Sequence, residues 1–229
     1  MKKLVFLAAV LFGFFTTING QIEEKMEKES VVRGAIFRNG QEIEGYIKKK
    51  GIVREHTTNE EFPAPWDFQK DIRFIPKDVF ENTQKLKNNM FKKYGAKNIS
   101  GYRYEDMIFE SVKYADMTAV GVNMIAKWMF LHSVINDKVS IFYHYNSPPS
   151  VFIGSLVQEY LNCAKENVVY RKGKDGKVKL VAEGLFGFNI EKELGDCPYV
   201  KEKNANDGYK GDRLSSRLEA INDYNQNCD

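Results

Sequence analysis

The fold of this chain is decided by residues 31–48, which read VVRGAIFRNGQEIEGYIK. Two strand-like runs flank Asn39-Gly40, and this dipeptide favours a two-residue hairpin turn because both of its positions need a positive φ. In the second run, apolar residues and a glycine alternate with polar residues and Tyr46. Such a period of two predicts an antiparallel hairpin with one face in the core and the other face, which carries Tyr46, mainly in water.

Two later segments show the same arrangement of two strand-like runs around a turn. The pairs are Trp128–Ile135 with Lys138–Tyr145, turned at Asn136-Asp137, and Val168–Arg171 with Lys177–Ala182, turned at residues 173–176. Shorter runs of strand-forming residues predict further strands at residues 72–75, 91–94 and 99–115. Between Asp78 and Met90 the sequence fits either a short helix or a polar excursion before the next strand.

The C-terminal part of the sequence changes from alternation to helical spacing. Leu214, Leu218 and Ile221 recur on one side of a predicted helix over residues 212–224, and shorter helical patterns occur at residues 190–194 and within 151–165. Strands followed by helices predict an α+β fold, a mostly antiparallel β-sheet built from hairpins with C-terminal helices packed on it. We assign residues 21–182 to a β-rich domain and residues 183–229 to a helical C-terminal tail.

The first twenty residues have the pattern of a secretory signal peptide. Lys2 and Lys3 precede an apolar run from Leu4 to Phe15, and a short polar exit ends at Gly20. The run is shorter than the about 20 apolar residues that a transmembrane helix needs. We predict cleavage after Gly20, so that Gln21 begins the mature chain, whereas the alternative is an uncleaved anchor or a buried core helix. The charged residues 23–29 that follow are expected to be frayed.

The N-terminal region also predicts that the exported protein has no lipid anchor. The first cysteine is Cys163, so no cysteine near the cleavage site could carry the lipid of a lipoprotein. We therefore expect a soluble protein in the periplasm or outside the cell, with no integral membrane segment after cleavage. Loss of Lys2 and Lys3 lowers Lys plus Arg from 34 to 32 against 31 acidic residues, a net charge of about +1. This balance argues against nucleic acid or acidic lipid as a partner.

Three cysteines remain in a compartment that permits disulfides: Cys163, Cys197 and Cys228. A Cys197–Cys228 bond would close a loop of about 31 residues and attach the C-terminal segment to the body of the protein. The chain-entropy model gives such a loop about 3–4 kcal/mol of stabilisation. We predict this bond with Cys163 free, and the alternative is three reduced thiols.

The sequence contains no recognisable motif of a catalytic, metal or cofactor site. Among the three histidines, a two-residue turn that pairs Ile135 with Lys138 would place His132 and His144 on opposite faces of their hairpin. They could then not share a metal ion, and no histidine-cysteine cluster has ligand spacing. We therefore predict no metal and no cofactor, and a hydrolase with an unrecognised site around His56 remains an alternative.

Both ends of the mature sequence resemble an uncharacterised family of exported Bacteroidota proteins. The resemblance rests on the Asn39-Gly40 hairpin with Gly45-Tyr46-Ile47, and on Asp196-Cys197-Pro198 with Tyr224-Asn225 before Cys228. These motifs are turns, strand alternation and a terminal cysteine. The resemblance implies the fold and export, and it brings no catalytic residue with it.

We therefore expect binding rather than catalysis. The leading hypothesis is an exported, non-enzymatic protein that binds another component of the cell envelope, a protein or a glycan. The alternative is a domain for small ligands or glycans that uses Trp66 with Tyr102 and Tyr104 as an exposed aromatic platform.

Overall fold

The computed structural model of the chain describes residues 20–54, 61–115, 125–145, 168–181, 188–210 and 214–228. Within them, ten strands form one antiparallel sheet and helices follow towards the C-terminus, so the predicted α+β fold is confirmed. The predicted signal peptide up to residue 19, the helical pattern within 151–165, His56 and Cys163 lie outside the described residues.

The sheet is built mainly from strands that are also neighbours in the chain. The described strands are β1 (Val31–Arg38), β2 (Gln41–Lys48), β3 (Ile52–Arg54), β4 (Glu61–Pro63), β5 (Asp71–Pro76), β6 (Lys92–Gly95), β7 (Gly101–Tyr104), β8 (Met107–Tyr114), β9 (Lys127–Ile135), β10 (Val139–Tyr143), β11 (Val168–Lys172) and β12 (Lys179–Leu180). Ten of them pair in the order β12-β11-β10-β9-β8-β7-β1-β2-β5-β6, and β3 pairs with β4 separately. The β1–β7 pair brings the first hairpin beside the middle of the sheet.

Helices cover the sheet near both ends of the described chain. They are α1 (20–29), α2 (Pro65–Phe68), α3 (Lys77–Asn82), a 3-10 turn (Asn88–Met90), α4 (Ile190–Leu194), α5 (Pro198–Ala205) and α6 (Leu214–Asn227). The expectation that residues 23–29 are frayed is wrong. These residues belong to α1, because Ile22 and Met26, four residues apart, pack together against the core. Helix α5 was not predicted, although Pro198 at its first turn is a typical start signal.

The first hairpin forms as the sequence predicts. Gly34 lies opposite Gly45, and the turn residues Asn39 and Gly40 have φ values of 53° and 75°. The expectation that Tyr46 faces water is wrong, because its ring stacks on Phe80 of α3 with centroids 4.0 Å apart. The face that the alternation assigned to solvent is thus covered by α1 and α3.

The hairpin of β9 and β10 forms with a different register from the predicted one. Ile135 lies opposite Ile141 instead of Lys138, and the pairing shifts after Ile141 so that His132 lies opposite Tyr143. The physical reason is the turn: Asn136-Asp137 lacks the glycine that a tight two-residue turn favours, and Asp137 instead accepts the Lys138 N–H at 2.7 Å. The connection is therefore longer than two residues.

The two histidines of this hairpin nevertheless lie on opposite faces of the sheet. His132 stacks on Phe109 at 5.4 Å between ring centroids, and His144 packs on Tyr114 at 5.3 Å. Phe109 and Tyr114 are five residues apart on β8, so their side chains point to opposite faces.

Apolar residues are buried on both faces of the sheet. On β11, Val168 and Tyr170 pack with the C-terminal helices, whereas Val169 packs on the other face with Phe142 and Leu131. Two-sided burial explains why many strands read as nearly continuous apolar runs.

The C-terminal helices are joined by a disulfide. Cys197, just before α5, is bonded to Cys228, just after α6, and their Cα atoms are 5.6 Å apart. Both cysteines are buried in the cluster that also contains Ile221 and Tyr224 of α6. The two residues predicted to pair are thus joined in the structure.

Among the described residues, no helix is long and apolar enough to cross a bilayer.

Candidate ligand-binding groove

The aromatic platform predicted from Tyr102 and Tyr104 is not on the surface. Tyr102 has no exposed side-chain area and stacks on Phe109 at 4.7 Å, while its hydroxyl donates to the Phe68 carbonyl at 3.0 Å. Tyr104 is 2% exposed and packs on Phe68 at 4.5 Å. The prediction is wrong because β7 lies in the middle of the sheet, and α2 covers the face that carries the Tyr102 ring.

Burial also fixes the chemical state of these two tyrosines. Loss of solvent raises the pKa of Tyr102 and the pKa of Tyr104 well above their usual value of 10, so both hydroxyls stay neutral. Trp66, the third member of the predicted platform, is half-buried against the same core cluster. These residues hold α2 to the sheet.

The exposed aromatic side chain is instead Trp128, near the start of β9. It is 47% exposed, and within the described part of the chain only Tyr199 of α5 is an aromatic residue of similar exposure. Trp128 lies opposite Lys113 of β8, beyond the short stretch in which β8 pairs with β7. An indole that is half-exposed on a strand is available for contact with a partner.

Two clefts meet at this tryptophan. One, of about 650 Å³, extends from Trp128 along the end of β8 to the connection between β11 and β12. The other, of about 670 Å³, extends from Trp128 to residues 96–100 and the tip of the first hairpin. Ser111 and Trp128 line both clefts, which we together call the Trp128 groove.

The Trp128 groove carries an excess of positive charge. Five exposed cations line it, and none of them has an ion-pair partner among the described residues: Arg38, Lys97, Lys113, Lys174 and Lys177. The acidic residue Glu110 is already paired with Arg171 through two contacts of 2.5 and 3.2 Å. Asp175 is therefore the one carboxylate among the described lining residues that is left to offset these cations.

Neutral polar groups in the groove are held in fixed orientations. The Ser100 hydroxyl donates to the Phe37 carbonyl at 2.9 Å, and the Ser111 hydroxyl donates to the Ala96 carbonyl. Each hydroxyl has thereby used its hydrogen, so its oxygen is left as an acceptor for a ligand. Asn98 accepts the Gly95 N–H at 3.2 Å through Oδ1, which leaves its NH₂ group as a donor.

Another cleft, of about 350 Å³ between α1, α3 and the first hairpin, differs from the Trp128 groove in its charge balance. Tyr46 lies in it, and burial together with a 2.8 Å hydrogen bond to Glu81 raises the pKa of Tyr46 to about 12. Each of its cations is already neutralised by a carboxylate: Arg33 by Glu23 at 2.6 Å, Arg103 by Glu42 at 2.9 Å and Lys77 by Glu44 at 3.5 Å. A charged ligand would have to break these pairs.

His132 lies in a packed aromatic cluster. Its ring stacks on Phe109 and Tyr145, and its Nδ1 is hydrogen-bonded to the Tyr145 hydroxyl. Desolvation lowers the pKa of His132 below 6.5, so the ring is neutral at neutral pH. In the part of the chain that the structure describes, no three histidine, cysteine or acidic side chains are grouped to hold a metal ion.

No protein family, curated protein or solved structure matches this chain. The assignment of a site therefore depends on the geometry of the chain itself. That geometry favours the Trp128 groove. The sequence pattern assigned Trp128 to a hairpin strand and did not single it out as a site residue. The five cations of the groove are spread over residues 38–177, and only the strand pairing brings them together.

Proposed function

We propose that this chain is an exported binding protein that holds an anionic component of the cell envelope in the Trp128 groove. The observation that carries the proposal is a half-exposed tryptophan between five cations that have no carboxylate partner among the described residues. Unpaired cations in a concave site raise the local concentration of an anion, and the indole supplies contact area that charges do not. Binding of this kind requires no bond-making chemistry.

Three features support the exported location in this proposal. The first twenty residues have the pattern of a cleaved signal peptide. The Cys197–Cys228 disulfide suits an oxidising compartment, such as the periplasm or the exterior of a cell. The resemblance of both ends of the chain to exported Bacteroidota proteins agrees with this location.

Intrinsic fluorescence tests the proposal directly because the chain has two tryptophans. In Trp66→Phe, Trp128 is the remaining reporter, and we expect titration with dextran sulfate to change its emission. Neutral dextran of the same length should leave the emission unchanged. The response should weaken as the salt concentration rises, because these cations are exposed and their charges are screened.

A pair of double variants separates the groove from the rest of the surface. Lys97→Gln with Lys113→Gln removes one charge from each cleft, and Lys201→Gln with Lys210→Gln removes two exposed charges of the C-terminal helical region. We expect dextran sulfate to bind the first variant at least about fivefold more weakly, and the second with nearly wild-type affinity. Equal losses in both variants would show that dextran sulfate is attracted by total charge, and the proposal would be wrong.

A further inference from the structure

We propose that the ligand of the Trp128 groove is an acidic polysaccharide, bound as a chain that passes over Trp128. This inference rests on the proposed function and adds the chemical class of the ligand. Its sugar rings would stack on the indole, its hydroxyl groups would donate to fixed acceptors, and its carboxylates would lie beside the lysines.

The stacking surface favours sugar over single-stranded nucleic acid. Proteins that bind single strands stack successive bases on several aromatic side chains. The Trp128 groove exposes one aromatic ring, and its other described lining residues are small, aliphatic or polar. One flat ring suits the apolar face of a pyranose, whose C–H groups lie against the indole while its hydroxyls point outward.

The fixed hydroxyls favour a ligand that carries many O–H donors. Ser100 and Ser111 have both donated their hydrogens to backbone carbonyls, so they can only accept from the ligand. A phosphodiester backbone or a row of carboxylates has no hydrogen to give them. A polysaccharide has such donors on every ring.

The cations of the groove favour carboxylates held at a distance over tightly gripped phosphates. Four of the five are lysines, which act as hydrated point charges, and the bidentate geometry of arginine is represented by Arg38. The other arginine in the lining, Arg171, is committed to Glu110. Diffuse attraction of this kind matches evenly spaced uronic acid residues.

The shape of the groove favours a chain over a single sugar. Trp128 lies where two clefts of similar volume meet, so ligand units on both sides of the stacked ring would remain in contact with the protein. The cations are divided between the clefts, with Arg38 and Lys97 in one and Lys113, Lys174 and Lys177 in the other.

The test compares four polymers by isothermal titration with the full mature chain. Polygalacturonate should bind at least about tenfold more tightly than oligo-dT or poly-L-glutamate at equal charge concentration. Fully methyl-esterified polygalacturonate, which keeps the rings and loses the charges, should bind much more weakly than the acid form. Trigalacturonate should bind more weakly than the polymer.

Three variants connect this preference to the groove. Trp128→Ala should weaken polygalacturonate binding at least about tenfold, since aromatic contacts contribute on this scale, whereas Tyr199→Ala removes an equally exposed ring elsewhere and should not. Ser111→Ala should weaken polygalacturonate more than poly-L-glutamate, because polygalacturonate carries hydroxyl donors on every ring whereas poly-L-glutamate offers only its peptide N–H groups. Thermal melts of all three variants check that they remain folded.

The outcomes separate this inference from the proposed function. Tighter binding of oligo-dT or poly-L-glutamate through Trp128 and the lysines would overturn the polysaccharide and leave anion binding in place. Binding that Trp128→Ala does not change would also overturn the inference. Absence of binding by all four polymers and by dextran sulfate would overturn both.

Discussion

The side-chain amide of Asn225 pairs with the peptide group of Val139 as a neighbouring strand would. Its Oδ1 accepts the Val139 N–H at 2.8 Å, and its Nδ2 donates to the Val139 carbonyl at 3.0 Å. Beyond the other end of β10, Gln69 makes the same pair of bonds with Tyr145, at 2.9 and 2.6 Å. Strand β10 is thus held at both ends by amide side chains from distant parts of the chain.

Asn225→Ala should lower the free energy of unfolding by about 2 kcal/mol, because two partly buried backbone groups of Val139 lose their partner. Asn222→Ala is the matched control on the same helix, since Asn222 is exposed and accepts one bond from Gln226. It should cost less than about 0.5 kcal/mol. Urea unfolding of both variants measures the difference. Equal losses of unfolding free energy would show that the two hydrogen bonds between Asn225 and Val139 do not stabilise the protein.

Cys228→Ser should lower the free energy of unfolding by about 2–4 kcal/mol, because the loop from Cys197 is no longer closed. Cys163→Ser should cost less than about 2 kcal/mol, through replacement of a thiol by a hydroxyl. Peptide mapping without reductant identifies the bond. A bridge that contains Cys163 would contradict the prediction.

Gly45→Ala should destabilise the protein by about 3 kcal/mol, because a Cβ at this position would lie 2.1 Å from the Ile75 carbonyl of the adjacent strand. Gly95→Ala is the matched control on β6, where a Cβ would meet Asn98 at an ordinary 3.5 Å. Thermal unfolding compares the two. If Gly95→Ala lowers the stability as much as Gly45→Ala does, the close approach of the Ile75 carbonyl is not the cause of the destabilisation.

Stability should fall as the pH is lowered from about 6.5, in part because of His132. Desolvation lowers the pKa of His132 in the folded protein, so below pH 6.5 the unfolded chain binds a proton that the folded chain resists. The contribution is complete above pH 6.5 and is lost as the pH falls towards the folded value. His132→Gln cannot titrate and should show a shallower dependence between pH 7 and 5. An unchanged slope would mean that His132 is as easily protonated in the fold as in the unfolded chain.

The mature protein should begin at Gln21 or within a few residues of it. Helix α1 then starts close to the new N-terminus and stays attached through Ile22 and Met26. Intact-mass analysis of the exported protein measures the cleavage point. An uncleaved chain that starts at Met1 in the membrane fraction would contradict the prediction.

Local rules predicted most of the strands. They failed at Tyr46, where distant segments meet, and at a turn that lacks glycine. The Asn39-Gly40 turn follows from the φ values that it requires, so its hairpin could be read from two residues. The burial of Tyr46 could not, because its cover comes from α1 and α3 outside the hairpin. The register at His132 failed because a turn without glycine adopted a longer connection.

The candidate groove could not be predicted from the sequence. The net charge of the whole chain is +3, which does not reveal the five cations around Trp128 that have no ion-pair partner in the described part of the chain. Only the order of the strands in the sheet places Lys97, Lys113 and Lys177 around one surface. The same order buries Tyr102 and Tyr104, which were expected in an exposed aromatic platform.

If the chain is exported as we propose, the two amide side chains that hold β10, Asn225 and Gln69, set the time at which the sheet can be completed. A chain that crosses a membrane with its N-terminus first releases Gln69 before β10. The end of β10 near Tyr145 therefore has its partner as soon as the strand emerges. The end of β10 at Val139 gains its partner only after residues 225–228 have been released, because Asn225 binds Val139 and Cys228 closes the disulfide. Until then the peptide group of Val139 lacks its native partner, and an unpaired strand end of this kind can pair with the wrong segment.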